Sequence, residues 1–164
     1  MVQLRKMRKR LIPRTSANLQ THGEDWYDLE QAATVEVTSE DKDFPVELSF
    51  SINPRQGWRA AEPGPQTIRL LFDEPQALKR IALVFEESEI VRTQEFALRA
   101  STSDGRPSRE IVRQQWNFSP PTSELEIEEY CVELSDVTVL ELTILPDISG
   151  GTARASLKSL RLSV

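Results

Sequence analysis

The sequence predicts an all-β domain, an antiparallel sandwich in which one sheet packs on another. Three observations carry this. Apolar and polar residues alternate at period two in run after run from Ala33 onward, turn-forming residues fall between most of the runs, and no segment of the body keeps helical spacing long enough for a long helix. A length of 164 residues, 38% of them hydrophobic and 28% charged, fits one domain able to bury roughly two-thirds of the surface its unfolded chain exposes. The division expected is a basic arm and polar leader over residues 1–32 and a sandwich over 33–164.

In the arm, Leu4, Met7 and Leu11 stand at helix-like spacing among basic residues, a run too short to be a stable helix on its own. The leader is polar, and Asp25 to Ala32 reads as a single helical turn that brings Trp26 and Leu29 onto the body. Ala33, Val35 and Val37 then make a first strand. Val46, Leu48, Phe50 and Ile52 make a second, the cleanest alternation in the chain, ending at Asn53-Pro54. Ile68, Leu70 and Phe72 precede Asp73-Glu74-Pro75, with Ile81, Leu83 and Phe85 beyond, which reads as a hairpin.

Phe96, Leu98 and Ala100 lead to the tight-turn pair Asp104-Gly105, and Arg109 to Phe118 supplies the next strand around Ile111. Leu125 and Ile127, followed by Tyr130, Val132 and Leu134, change phase, which predicts a bulge between Ile127 and Tyr130. Leu140 to Ile144 and Leu160 to Val164 complete eight or nine short strands.

Charge is distributed unevenly. Arg5, Lys6, Arg8, Lys9, Arg10 and Arg14 put +6 in the first fourteen residues, leaving 14 basic against 26 acidic residues, or −12, for the rest. An acidic body repels nucleic acid and anionic lipid, so only the arm suits them, and an acidic protein or a neighbouring copy is its expected partner. A single cysteine excludes an internal disulfide, and no apolar run reaches the length of a signal peptide or membrane span, so a cytoplasmic location is expected.

Catalytic chemistry finds few candidates. His22 is the single histidine and Cys131 the single thiol, too few for a zinc site, and any Ser-His-Asp triad or Cys-His dyad would have to be built on His22, which reads as a solvated side chain in the polar leader. Cys131 reads as a packing residue within a strand. Glu86, Glu87 and Glu89, and Glu124, Glu126, Glu128 and Glu129, read as solvated edges. Asp41, Asp43 and Asp147 lack the dense spacing of a calcium loop, and Gly150-Gly151 reads as a turn. No enzymatic activity, cofactor or metal is expected. The segment Arg113 to Pro121 instead combines Trp116 with Arg113, Asn117 and two further amides, the mixture that suits a sugar: a ring for its C–H face and polar groups for its hydroxyls. Set against this is a reading of Trp116 and Phe118 as core.

Val35 to Glu40, Gly57-Trp58-Arg59-Ala60, Thr67 to Pro75 with Leu78 and Ile81, Asp104-Gly105 and Leu157 to Leu162 together make the body resemble the discoidin family, also called coagulation factor 5/8 type C, of the galactose-binding-like fold. The resemblance implies an eight-stranded, jelly-roll-like sandwich whose loops at one end bind carbohydrate, phospholipid or protein. It makes Trp58 a packing residue and lets Arg59 meet a polar ligand. The chain lacks the paired cysteines of extracellular members. The expectation is a binding module for carbohydrate through Arg59, Arg113, Trp116 and Asn117; the alternative is a protein-interaction or assembly subunit, with homo-oligomers among its forms.

Overall fold

The computed structural model describes residues 26–51 and 56–164. The basic arm, His22 and the turn at Asn53-Pro54 lie outside them. Among the described residues there are eight strands: β1 (Ala33–Val37), β2 (Trp58–Pro63), β3 (Gln66–Glu86), β4 (Arg92–Thr102), β5 (Arg109–Phe118), β6 (Leu125–Leu145), β7 (Arg154–Leu157) and β8 (Ser159–Ser163). All pairings are antiparallel. The expected turn near Ala32 is present as α1 (Leu29–Ala32), capped by the Asp28 carboxylate and anchored by buried Leu29.

The architecture rests on β3 and β6, each 21 residues long, which pair along most of their lengths. The hairpin expected at Asp73-Glu74-Pro75 does not form. The strand runs on through these three exposed residues, and the register against β6 slips between Leu71 and Arg80, so Pro75 needs no ladder donor there. Opposite this slip, Asp136 takes a positive φ of 61°. The β3–β6 ribbon folds back on itself at this point. Its first half, Gln66 to Leu71 with Val139 to Ile144, joins β1, β4 and β5 in one layer; its second half, Leu78 to Glu86 with Leu125 to Leu134, joins β8 in the other. Phe85 from one layer meets Phe96 from the other, ring centroids 5.1 Å apart. Between the layers lie Ile68, Leu70, Ile81, Leu83, Leu98, Leu140 and Leu142, all buried.

Three further expectations are corrected. The run beginning at Val46 is a 3-10 helix, Val46–Phe50, not a strand. Three residues per turn put Val46 and Ser49 on one side, and both are buried. The Ser49 hydroxyl donates to the Leu157 carbonyl and accepts from the Trp58 amide, so a polar residue of the alternation has become an internal tie. The bulge between Ile127 and Tyr130 is absent, because the register with β3 is unbroken from Leu125 to Cys131. Instead Glu126, Glu128 and Tyr130 face inward while Leu125, Ile127 and Cys131 face out, which makes Cys131 exposed and Glu126 buried, the reverse of expectation.

Trp58 packs, as the resemblance implied. It is 1% exposed and its indole N–H donates to the Ser39 carbonyl at 2.9 Å. Gly57 beside it lies so close to β7 that a Cβ would stand 2.0 Å from the Leu157 carbonyl oxygen, so no side chain fits there.

Candidate functional site

Because the β3–β6 ribbon folds over, both of its ends, Gln66 with Ile144 and Glu86 with Leu125, meet at one end of the sandwich. A buried polar cluster fastens them. Arg92, at the start of β4, donates to the Glu87 carboxylate at 2.6 Å, to the Pro146 carbonyl at 2.6 Å and to Gln94 at 3.3 Å, while its guanidinium lies 4.7 Å over the Phe118 ring. Gln94 in turn donates to buried Glu126 at 3.2 Å, which ties the two layers together. Burial acts to raise the Glu87 pKa, but Arg92 and the amides of Glu89 and Ile90 outweigh it and hold the carboxyl below its ordinary range. Glu126 goes the other way: burial, then the neighbouring Glu128, push it up to about 8.

Two clefts open at this end. One, of about 140 Å³, is lined by Phe44, Gln56, Arg59, Glu86, Ser156 and Lys158. Arg59 reaches over the Phe44 ring at 5.5 Å, held by backbone hydrogen bonds from the Arg59 amide to the Phe44 carbonyl and from the Asp41 amide to the Arg59 carbonyl. Lys158 pairs with Glu86 at 3.2 Å on its far wall. The other, of about 500 Å³, has apolar Val91 and Ile148 beside Thr93, Asn117, Asp147 and Ser149. Asn117 accepts from the Thr93 hydroxyl through its amide oxygen at 2.6 Å, which leaves its amide nitrogen as a donor. The Ser149 hydroxyl and amide bond Asp147 and lower its pKa.

Of the four residues expected to bind, Arg59 and Asn117 thus reach the same end of the sandwich, in different clefts. Arg113 and Trp116 lie along β5 on opposite faces. Arg113 is exposed and bridges Glu95 and Glu110, each at 2.7 Å. Trp116 is half-buried against the core, next to Gln94 in register, and its indole nitrogen has no hydrogen-bond partner. Phe44, Gln56 and Lys158 carry no pattern of their own in the sequence, and the charge of Arg92 gave no hint of burial; Glu87, expected as a solvated edge, is instead only 12% exposed because it pairs with Arg92. Asp41 and Asp43 share one loop and Asp147 sits in another; among the described residues no group of three metal-ligating side chains gathers.

No protein-family model and no curated protein matches the sequence. Solved structures do match in shape. A family 32 carbohydrate-binding module from Clostridium perfringens NanJ, in complex with galactose, has a TM-score of 0.59 at 14% identity, covering 79% of this chain and 92% of its own. A pectin-binding carbohydrate-binding module has a TM-score of 0.59 at 16% identity, covering 82% and 91%. A chain in the complex of reduced XRCC1 with the DNA polymerase β catalytic domain has a TM-score of 0.57 at 10% identity, covering 80% and 93%. At these identities the likeness is one of fold: the chain is an antiparallel β-sandwich of the same fold as these modules.

Proposed function

We propose that this chain is a non-catalytic carbohydrate-binding module that takes its ligand at the loop end, with the Arg59 cleft holding a single sugar ring. The observation that carries the reading is the content of that cleft. Phe44 offers an aromatic ring, while the Arg59 guanidinium, the Gln56 amide, the Ser156 hydroxyl and the Lys158–Glu86 pair surround it with donors and acceptors. Sugar recognition needs this pairing of an apolar plate with convergent polar groups. The sandwich shape shared with modules solved with galactose and with pectin-binding ones supports it. Asn117 in the neighbouring cleft and Arg113 further along the same exposed row of β5 would contact a longer glycan, with Trp116 bracing that strand from beneath.

The test is a broad glycan panel followed by calorimetry on the best binder. Arg59→Ala is expected to abolish binding of every glycan, and Asn117→Ala to weaken oligosaccharides while sparing monosaccharides. A panel in which nothing binds, or binding untouched by Arg59→Ala, removes this reading. A protein-interaction or assembly role is the second reading, and one observation favours it: Leu125 and Ile127 stand 44% and 65% exposed on the outer face of β6.

A further inference from the structure

At the other end of the sandwich, where the β3–β6 ribbon folds back, lies a cleft of about 550 Å³ that the sugar reading does not use. β4 runs from Arg92 at the loop end to Thr102 at this one, so the length of that strand, about 30 Å, separates the two ends. The cleft is within the size range of small-molecule sites, about 300–1,000 Å³. Its floor is apolar, with Ala100 and Val137 buried and Leu134 half-buried. Its walls are charged: Asp104, Arg106 and Arg109 stand on the β4–β5 side, and Glu133 and Asp136 on β6.

Most of these charges already have partners. The Asp104 carboxylate accepts from the Thr102 hydroxyl at 2.6 Å and pairs with Arg106 at 3.3 Å. The Asp136 carboxylate accepts from the Ser103 hydroxyl and, at 3.3 Å, from the Ser103 amide; this tie holds Asp136 at a φ of 61°, in the left-handed region, and fixes the β6 wall against the end of β4. Two charges are left over. The side chains of Arg109 and Glu133 make no hydrogen bond or ion pair among the described residues. Register places Arg109 at the cleft: its partner across the β4–β5 ladder is buried Ala100, and paired residues share a face, so this arginine starts from the inner face of its sheet. An apolar floor between one unpaired cation and one unpaired anion suits a ligand that carries both charges on an apolar body. We propose that this cleft binds a small zwitterion of that kind, an apolar α-amino acid or a short apolar peptide with free ends.

The experiment is a two-dimensional NMR titration of the full chain with leucine, with leucyl-leucine, with leucinamide, which lacks the carboxylate, and with N-acetyl-leucine, which lacks the ammonium. The zwitterions are expected to shift amides within residues 102–109 and 133–137. Each one-charge analogue is expected to bind about tenfold more weakly or worse, the loss that follows from removing one charged hydrogen bond. The tighter of the two zwitterions identifies the source, a free amino acid or a peptide. Arg109→Gln is expected to weaken leucine and N-acetyl-leucine while sparing leucinamide, and Glu133→Gln to do the converse; Arg113→Gln, on the exposed face of the same strand, leaves all four titrations unchanged. Absence of any shift with both zwitterions overturns the proposal, as do one-charge analogues that bind equally well or binding untouched by Arg109→Gln. Arg59→Ala does not enter this readout, so the sugar reading and this one fail separately.

Discussion

Arg92 and Arg113 lie on neighbouring strands, each paired with glutamates, and they do different work. Arg92 has a side chain only 1% exposed, faces a Glu87 that is 12% exposed, and spends its remaining donors on Gln94 and the Pro146 carbonyl. Arg113 is half exposed and shares its guanidinium between Glu95 and Glu110 in water. An ion pair in solvent exchanges one set of good interactions for another, whereas a buried one is costly to break because a charge is left without water or partner. The loop end that presents both clefts is therefore held by a cluster the fold cannot easily lose, whereas folding makes no such demand on Arg113 at the β5 surface.

Arg92→Met tests that contrast most severely. It strands the Glu87 carboxylate and is expected to cost about 3–5 kcal/mol in denaturant unfolding, the range for breaking one side of a buried pair. A loss no larger than that of a surface substitution would erase the distinction. Glu126→Gln sharpens it. With its folded pKa pushed up to about 8, Glu126 keeps a proton that the unfolded chain releases near its ordinary value of 4.5. The folded state then binds more protons than the unfolded one across that window, so this residue's contribution to stability falls as pH rises from about 4.5 to about 8. The glutamine variant is expected to flatten that decline and to keep the Gln94 contact; an unchanged pH profile would place the titration elsewhere. Arg113→Ala has the smallest expected effect, no measurable change in the unfolding midpoint, and a large loss would show that the exposed bridges matter after all.

Sequence alternation disclosed the all-β class, β1, and the apolar phases of β3 and β4, because in those segments each buried face meets the other layer. It failed where other contacts govern the backbone. Val46 to Phe50 alternates as cleanly as any strand, yet Ser49 bonds across to Trp58 and to Leu157, the latter 108 residues away, and a 3-10 turn satisfies that tie. Asp73-Glu74-Pro75 has turn chemistry, but the long pairing of β3 with β6 carries the chain through it as a bend. In β6 the apolar Leu125 and Ile127 suggested one phase and Tyr130 another; a buried carboxyl at Glu126, matched by Gln94 from β4, removes the need for a bulge. The candidate site was legible only in part. Arg59 stood out beside Trp58, but Phe44, Gln56, Glu86 and Lys158 converge on it from four separate segments, a juxtaposition that no local spacing encodes.

The direct test of the binding account is calorimetric titration of the intact protein with the best ligand from a glycan panel, beside Arg59→Ala prepared in the same way. Saturable binding to the intact protein and none to a normally folded Arg59→Ala is the predicted result. Equal binding by both proteins would contradict the assignment of the loop-end cleft.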